Sequence, residues 1–345
     1  MEPWGIVLLV ILLILFCYFA SSLILTSILN QRIFGVRGKD PSHPMYVHVE
    51  DYPDLKRVRY ETLYSGKKIK GYIYTDKGIH DYHGFIILSH GMFGSHLQYL
   101  VDVNYLTKAG YEVLCYDQYG VGESEGESQV SLAQGILTLD AVLDDVEKRK
   151  LNHGLEISLY GHSWGAYCGL GVLKDHDEIH KAVLRSGPVK PALAGLSILR
   201  LRSKTLYYYL RPILPFCLRL LTSGKASVDC TKKLKKNRKT KILVVYAKDD
   251  PMVDMTNSQY KYFTKHKNEN VTLLLTQKGL HNSIITEESY ARFVSKAKEY
   301  KALMKNTPEE KKNEESEKFL SQVNRADMVT YNDEVKDSIL NFLRV

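Results

Sequence analysis

Ser163, Asp250 and His281 have the residue types and local settings for nucleophilic catalysis. Ser163 is the centre of Gly161-His162-Ser163-Trp164-Gly165. A hydroxyl is a poor nucleophile until a base takes its proton. His281, in Lys278-Gly279-Leu280-His281-Asn282-Ser283, is the candidate base. An imidazole in that role needs an acid to fix its tautomer. Asp250, in Lys248-Asp249-Asp250-Pro251-Met252, is the candidate, with Asp249 beside it as the second choice. Acyl transfer also needs N–H donors for the developing oxyanion. The backbone of Trp164 offers one. Met92, in Ser89-His90-Gly91-Met92-Phe93-Gly94, offers the other. His90 and His162 read as scaffold. The twelve histidines do not cluster at ligand spacing, so neither a metal nor a cofactor is expected.

These residues need particular elements around them. The run Glu156–Tyr160 reads as a strand, and Ala166–Lys174 as a helix. A serine on the sharp turn between them sits in a strained backbone, and Gly161 and Gly165 remove the Cβ atoms that would crowd it. Asp250 follows the strand-like run Lys241–Tyr246, and His281 follows Val271–Thr276. The oxyanion loop follows Phe85–Ser89. Further strands are read at Arg57–Leu63, Lys70–Thr75, Tyr111–Tyr116 and Lys181–Arg185, with helices at Leu132–Arg149 and Ser258–His266. Strands alternating with helices predict an α/β fold with a mostly parallel, eight-stranded sheet and helices on both faces. The catalytic order Ser, Asp, His is the one expected along a single sheet edge.

On these residues the chain resembles the α/β-hydrolase superfamily, in its serine-aminopeptidase-like and monoacylglycerol-lipase-like branch. His90-Gly91-Met92, the stretch Asp117–Gly126, the elbow Gly161–Gly165, Asp250-Pro251 and His281 carry the resemblance. It covers roughly residues 60–281 and the last helix. In that family the glycine-rich stretch 120–126 is a structural turn, and it lacks the Lys-Ser/Thr ending of a phosphate loop. The resemblance implies fold and mechanism. It leaves substrate open, because the branch holds esterases, lipases, thioesterases and peptidases.

The remaining segments bear on location and substrate. Trp4–Leu29 is apolar except for Ser21, Ser22, Thr26 and Ser27. As a helix it would span roughly 39 Å, enough to cross a bilayer. Its n-region holds Glu2 and no base, and bulky Tyr18 precedes the best cleavage position, so an uncleaved single-pass anchor is expected over a signal peptide. Arg32, Arg37 and Lys39 follow it and place the catalytic domain on the cytoplasmic side. The division expected is an anchor over 1–30, a linker over 31–45 and a hydrolase domain over 46–345. Within that domain, 188–240 is a cap insertion and 301–325 a charged helical insertion. The five cysteines show no paired spacing, their odd count argues against a disulfide framework, and Cys115 and Cys168 read as buried free thiols.

Between Pro188 and Lys241 the only acid is Asp229, against many apolar and aromatic residues and the basic run Lys232–Lys239. An aminopeptidase must hold an α-ammonium, which calls for a carboxylate. An apolar, basic cap suits an acyl chain. The net charge of +8 is compatible with an anionic leaflet. The expected protein is therefore a membrane-anchored serine hydrolase of carboxylic esters, lipid-derived ones included, acting through an acyl-enzyme. The alternatives are a serine aminopeptidase or amidase, and a catalytically silent membrane-tethered scaffold. Nucleic acid is not an expected partner, since the basic run has no supporting motif.

Overall fold

The computed structural model describes residues 2–35, 37–38, 45–92, 94–128, 131–222, 228–231 and 239–345. The basic residues Lys232, Lys233, Lys235, Lys236 and Arg238, and residues 36 and 39–44 of the stretch read as a linker, lie outside them.

The chain opens with helix α1, Pro3–Phe34. It continues past Leu29 to Phe34, because Gln31-Arg32-Ile33-Phe34 holds no breaker, and it stops at Gly35. Eight strands then form one sheet: β1 (Leu55–Tyr64), β2 (Lys67–Asp76), β3 (Gly84–Ser89), β4 (Tyr111–Tyr116), β5 (Ile157–His162), β6 (Ile179–Arg185), β7 (Lys241–Ala247) and β8 (Val271–Thr276). The order across the sheet is β1-β2-β4-β3-β5-β6-β7-β8. β2 runs antiparallel to both neighbours, and the rest pair in parallel. Every strand expected from the sequence is present.

Alternation along the central strands builds two cores. Phe85 and Ile87 of β3 face one side, with Leu114 and Tyr116 of β4. Helices α3 (Ala133–Arg149), α4 (Trp164–Val172) and α8 (Gln259–Lys265) cover that side. Ile86, Leu88, Val113 and Cys115 face the other side, under α2 (Leu100–Lys108) and α12 (Asp333–Arg344). Val335, Ile339 and Leu343 recur at helical spacing on α12, and all three are buried. The central strands are covered on both faces, so β3 is buried at every residue.

Three helices, α5 (Pro191–Arg202), α6 (Lys204–Leu210) and α7 (Leu214–Leu221), separate β6 from β7. They bury Leu196, Leu199, Leu210 and Leu214 against one another. Leu25 and Leu29 of α1 pack into the same cluster, a contact the sequence reading did not anticipate. Near the C-terminus come α9 (Glu287–Asn306), α10 (Lys312–Ser321) and α11 (Arg325–Met328). The charged 301–325 stretch is thus helical, but it begins inside α9. All five cysteines are free, and Cys115, Cys168, Cys217 and Cys230 are buried.

One histidine outside the site ties helix to strand. His176 lies in the turn between α4 and β6, with Nδ1 2.6 Å from Glu178 Oε1 and Nε2 3.0 Å from Asp140 Oδ1. Burial alone would lower its pKa, but the hydrogen bonds to Glu178 and Asp140 outweigh burial and push it up to about 9. The unfolded value is roughly 6.5, so the folded state binds this proton more tightly. The stabilisation is complete below about pH 6.5 and is lost as pH rises through about 9. Thermal unfolding in detergent should therefore show Tm falling between those limits, with His176→Gln flattening the slope. An equal slope in the variant refutes the assignment.

Candidate functional site

The turn after β5 sets the site. Ser163 has φ 54° and ψ −111°, a backbone conformation that L-residues rarely adopt. Two glycines make the turn possible. A Cβ on Gly161 would lie 2.6 Å from the Gly165 carbonyl oxygen, so these two residues crowd each other as the spacing implies. A Cβ on Gly165 would lie only 1.8 Å from Ser89 O, so this glycine answers mainly to the end of β3. The Ser163 N–H donates to Arg185 O at 2.8 Å, which pins the turn to β6 as well.

The strand ends bring the three chemical residues together. Ser163 Oγ lies 2.8 Å from His281 Nε2. His281 Nδ1 lies 3.0 Å from both Asp250 oxygens. The Asp250 side chain is fully buried and also accepts from the Met252 and Val253 N–H groups, at 2.8 and 3.0 Å. Asp249 faces elsewhere and accepts from Leu280 N–H at 2.9 Å. The adjacent carboxylates therefore divide the work: Asp250 meets the ring, and Asp249 holds the backbone that carries it.

Trp164 is the first residue of α4, so its N–H has no intrahelical acceptor. Met92 sits in the loop after β3, and the two residues line a small pocket of about 70 Å³ together with Ser163 and His281. Among the described residues, neither N–H has a hydrogen-bond acceptor. Gly91 approaches closely, since a Cβ there would be 3.4 Å from Ser163 Cβ.

The two neighbouring histidines are held as neutral scaffold. His90 Nδ1 donates to Gly91 O at 2.7 Å, and its Nε2 accepts from Gln118 N–H at 3.0 Å. The Gly91 N–H donates to Tyr99 Oη at 2.8 Å, so that hydroxyl gives its own proton to His162 Nδ1 at 2.7 Å. His162 Nε2–H then donates to His281 O at 2.9 Å. Burial, with the nearby His281 ring and the Arg185 cation, holds His162 well below the usual histidine pKa. It adds no charge beside His281.

Tyr99 was not visible as a functional residue in the sequence, where it is one aromatic among 24 tyrosines. Arg185 was also missed. It is fully buried, pairs with Asp102 at 3.0 Å, and donates to Asn282 O at 3.2 Å, directly after His281. The glycine-rich stretch 120–126 is a structural turn: Asp117 accepts from the His96 and Glu123 N–H groups, both at 2.8 Å. A Cβ on Gly122 would meet Asp117 Oδ2 at 2.2 Å. No group of three or more potential metal ligands occurs among the described residues.

A family model described as "Serine aminopeptidase, S33" matches residues 80–215, less than half of the chain. Among solved structures, the esterase Pf2001 of Pyrococcus furiosus aligns at 21% identity and TM-score 0.55, over 76% of this chain and 96% of its own. The α/β hydrolase GrgF from Penicillium sp. sh18 aligns at 15% identity and TM-score 0.50, over 66% and 91%. At these identities the likeness concerns the fold. No curated protein matches the chain.

Tyr99→Phe should isolate the scaffold's contribution. It leaves the Gly91 N–H and His162 Nδ1 without their shared partner and frees the loop that carries Met92. Labelling of Ser163 by a fluorophosphonate should slow roughly 10- to 100-fold in a protein that still folds. An unchanged labelling rate would mean that the loop is held by other contacts.

Proposed function

We propose that this chain, which has the α/β-hydrolase fold and matches a serine-aminopeptidase family model over residues 80–215, is a membrane-anchored serine hydrolase cleaving carboxylic esters through an acyl-enzyme. The observation that carries the reading is the continuous hydrogen-bonded line from Ser163 Oγ through His281 to Asp250, at 2.8 and 3.0 Å.

In this mechanism Ser163 Oγ attacks the ester carbonyl carbon while its proton passes to His281 Nε2. The new C–O bond pushes the carbonyl electron pair onto oxygen, and the Met92 and Trp164 N–H groups stabilise that oxyanion. Asp250 keeps the Nδ1–H in place and stabilises the imidazolium. Collapse of the intermediate breaks the bond to the alcohol, which leaves with the His281 proton. Water repeats the attack on the acyl-enzyme, gives a proton to His281 and releases the carboxylic acid. Ser163 recovers its hydrogen as the carboxylic acid leaves.

The surroundings of Ser163 favour an ester over a free peptide amine. Met92, Leu132, Pro188, Ala194, Ile198 and Val253 line the pocket, and no carboxylate does so among the described residues. Asp229, the only acid between Pro188 and Lys241, is occupied by the Thr231 hydroxyl at 2.6 Å. An α-ammonium would find no counter-ion there. The matched family model bears an aminopeptidase description, and this supports peptidase activity as the second reading. Helix α1 is long and apolar enough to cross a membrane, which supports the anchor. The basic residues after it support a cytoplasmic catalytic domain.

Full-length protein in detergent should take one fluorophosphonate adduct, read by intact mass, and Ser163→Ala should take none. Asp250→Asn should lower kcat on a short acyl ester by about 10⁴-fold, the loss expected when a triad histidine takes the wrong tautomer. Ester turnover that persists in Ser163→Ala would overturn the reading. Faster cleavage of aminoacyl anilides than of acyl esters would favour the peptidase. A folded protein with neither adduct nor turnover would be a scaffold.

A further inference from the structure

Helix α1 does more than enter a membrane. Its large side chains are exposed from Trp4 to Phe16, and from there on it lies against the helices between β6 and β7. Tyr18 Oη donates to Tyr209 O at 2.8 Å, and the two rings meet edge-on at 5.2 Å. Phe19 meets Phe216 at 6.1 Å, and Ser22 and Thr26 are buried. The free stretch Trp4–Phe16 spans roughly 20 Å, whereas a hydrocarbon core is about 30 Å thick. A spanning α1 must therefore carry some of its helix-contacting residues into the bilayer. Tyr208, Phe216, Leu220 and Leu221 are exposed on α6 and α7, the helices that α1 contacts.

At the other end of this contact lies a cavity of about 370 Å³, within the roughly 300–1,000 Å³ usual for ligand sites. Thr26, Leu29, Ile33 and Phe34 of α1 form one wall, and α5 forms the facing wall. Met92, Leu132, Ala194 and Ile198 line both this cavity and the pocket of about 70 Å³ over Ser163. The two spaces therefore adjoin, and an apolar path leads from the nucleophile to the membrane helix. The pocket over Ser163 is far too small to bury a long chain. The charged side chains lining the larger cavity, Arg32 and Arg202, are both exposed, and the rest of its lining is apolar apart from Thr26, Asn30 and Ser203.

We propose that this cavity receives the acyl chain of the substrate, that α1 is its outer wall, and that the substrate is a long-chain acyl ester drawn from the bilayer beside that helix. The proposal rests on the serine-hydrolase reading of Ser163. The membrane helix is then part of the specificity site as well as a tether. A long acyl chain leaves the lipid for a protein cavity without crossing water, which removes the main cost of presenting an insoluble substrate.

The test uses full-length protein in lipid nanodiscs. Gly195 of α5 lines the cavity, and an ideal Cβ there meets nothing within 4 Å. Replacing glycine inside a helix does not oppose the backbone, so Gly195→Trp fills the cavity from one wall. Ile33→Trp fills it from α1. Each should lower the ratio of kcat/KM for p-nitrophenyl palmitate to that for p-nitrophenyl butyrate by about tenfold or more. A second measurement needs no turnover. Palmitate carrying a diazirine near its tail, photolysed with Ser163→Ala protein, should crosslink to residues 26–34 and to α5. Adding Gly195→Trp should abolish those crosslinks. An unchanged ratio in both tryptophan variants overturns the proposal, and so do crosslinks that fall outside both walls. If turnover survives Ser163→Ala, the hydrolase reading fails by itself, and the crosslink map still decides whether α1 walls an acyl site.

Discussion

The backbone of Ser163 is the constraint on which the rest of the site depends. A residue at φ 54° and ψ −111° persists only when its surroundings over-determine it. Here three strands do so. Gly161 ends β5 with no side chain to meet Gly165. Gly165 lets α4 sit directly on the Ser89 carbonyl at the end of β3. Arg185 of β6 receives the Ser163 N–H. These are central strands of the sheet, covered on both faces, so the strain is carried by its buried centre. The same approach of α4 to β3 sets the Met92 loop beside Ser163.

A second constraint concerns charge. His281 stands in an enclosed place crowded with titratable groups. Three of them are arranged to cancel or stay neutral. Arg185 is fully buried, and Asp102 answers it, itself held by Tyr160 at 2.7 Å and Tyr331 at 2.5 Å. His162 is kept unprotonated by burial, and its two ring nitrogens are committed to Tyr99 and to the His281 carbonyl. Asp250 is left as the carboxylate in contact with the imidazole, on the side away from Ser163. An uncompensated positive charge at residue 162 or 185 would oppose formation of the imidazolium.

Much of this was legible from the sequence because the signals are local. Short apolar runs such as Phe85–Ser89 mark buried strands by composition alone. A glycine two residues either side of Ser163 marks a strained turn, and Asp-Pro and Gly-Leu-His mark the ends of later strands. What was not legible depends on contacts between distant residues of ordinary type. Tyr99 matters because it lies under Gly91 and His162, and nothing around it in the chain says so. Arg185 reads as the polar end of a strand until Asp102 and Asn282 meet it. Asp249 and Asp250 are chemically identical neighbours, and only the direction of each side chain separates the residue that meets the ring from the one that holds the loop.

Helix α1 shows the same distinction within one element. Its apolar run reads as an anchor, and the small polar residues Ser21, Ser22 and Thr26 read as minor interruptions. In the structure those interruptions form the face that matters. Ser21 Oγ lies 2.6 Å from Tyr209 Oη, and Ser22 and Thr26 are the helix's buried residues. Small side chains let two helices approach closely. The interrupted face fixes α1 against α6 and α7. Leu25 and Leu29 then extend that contact into the Leu196–Leu214 cluster, and the final turns of the helix reach the cavity that adjoins the Ser163 pocket.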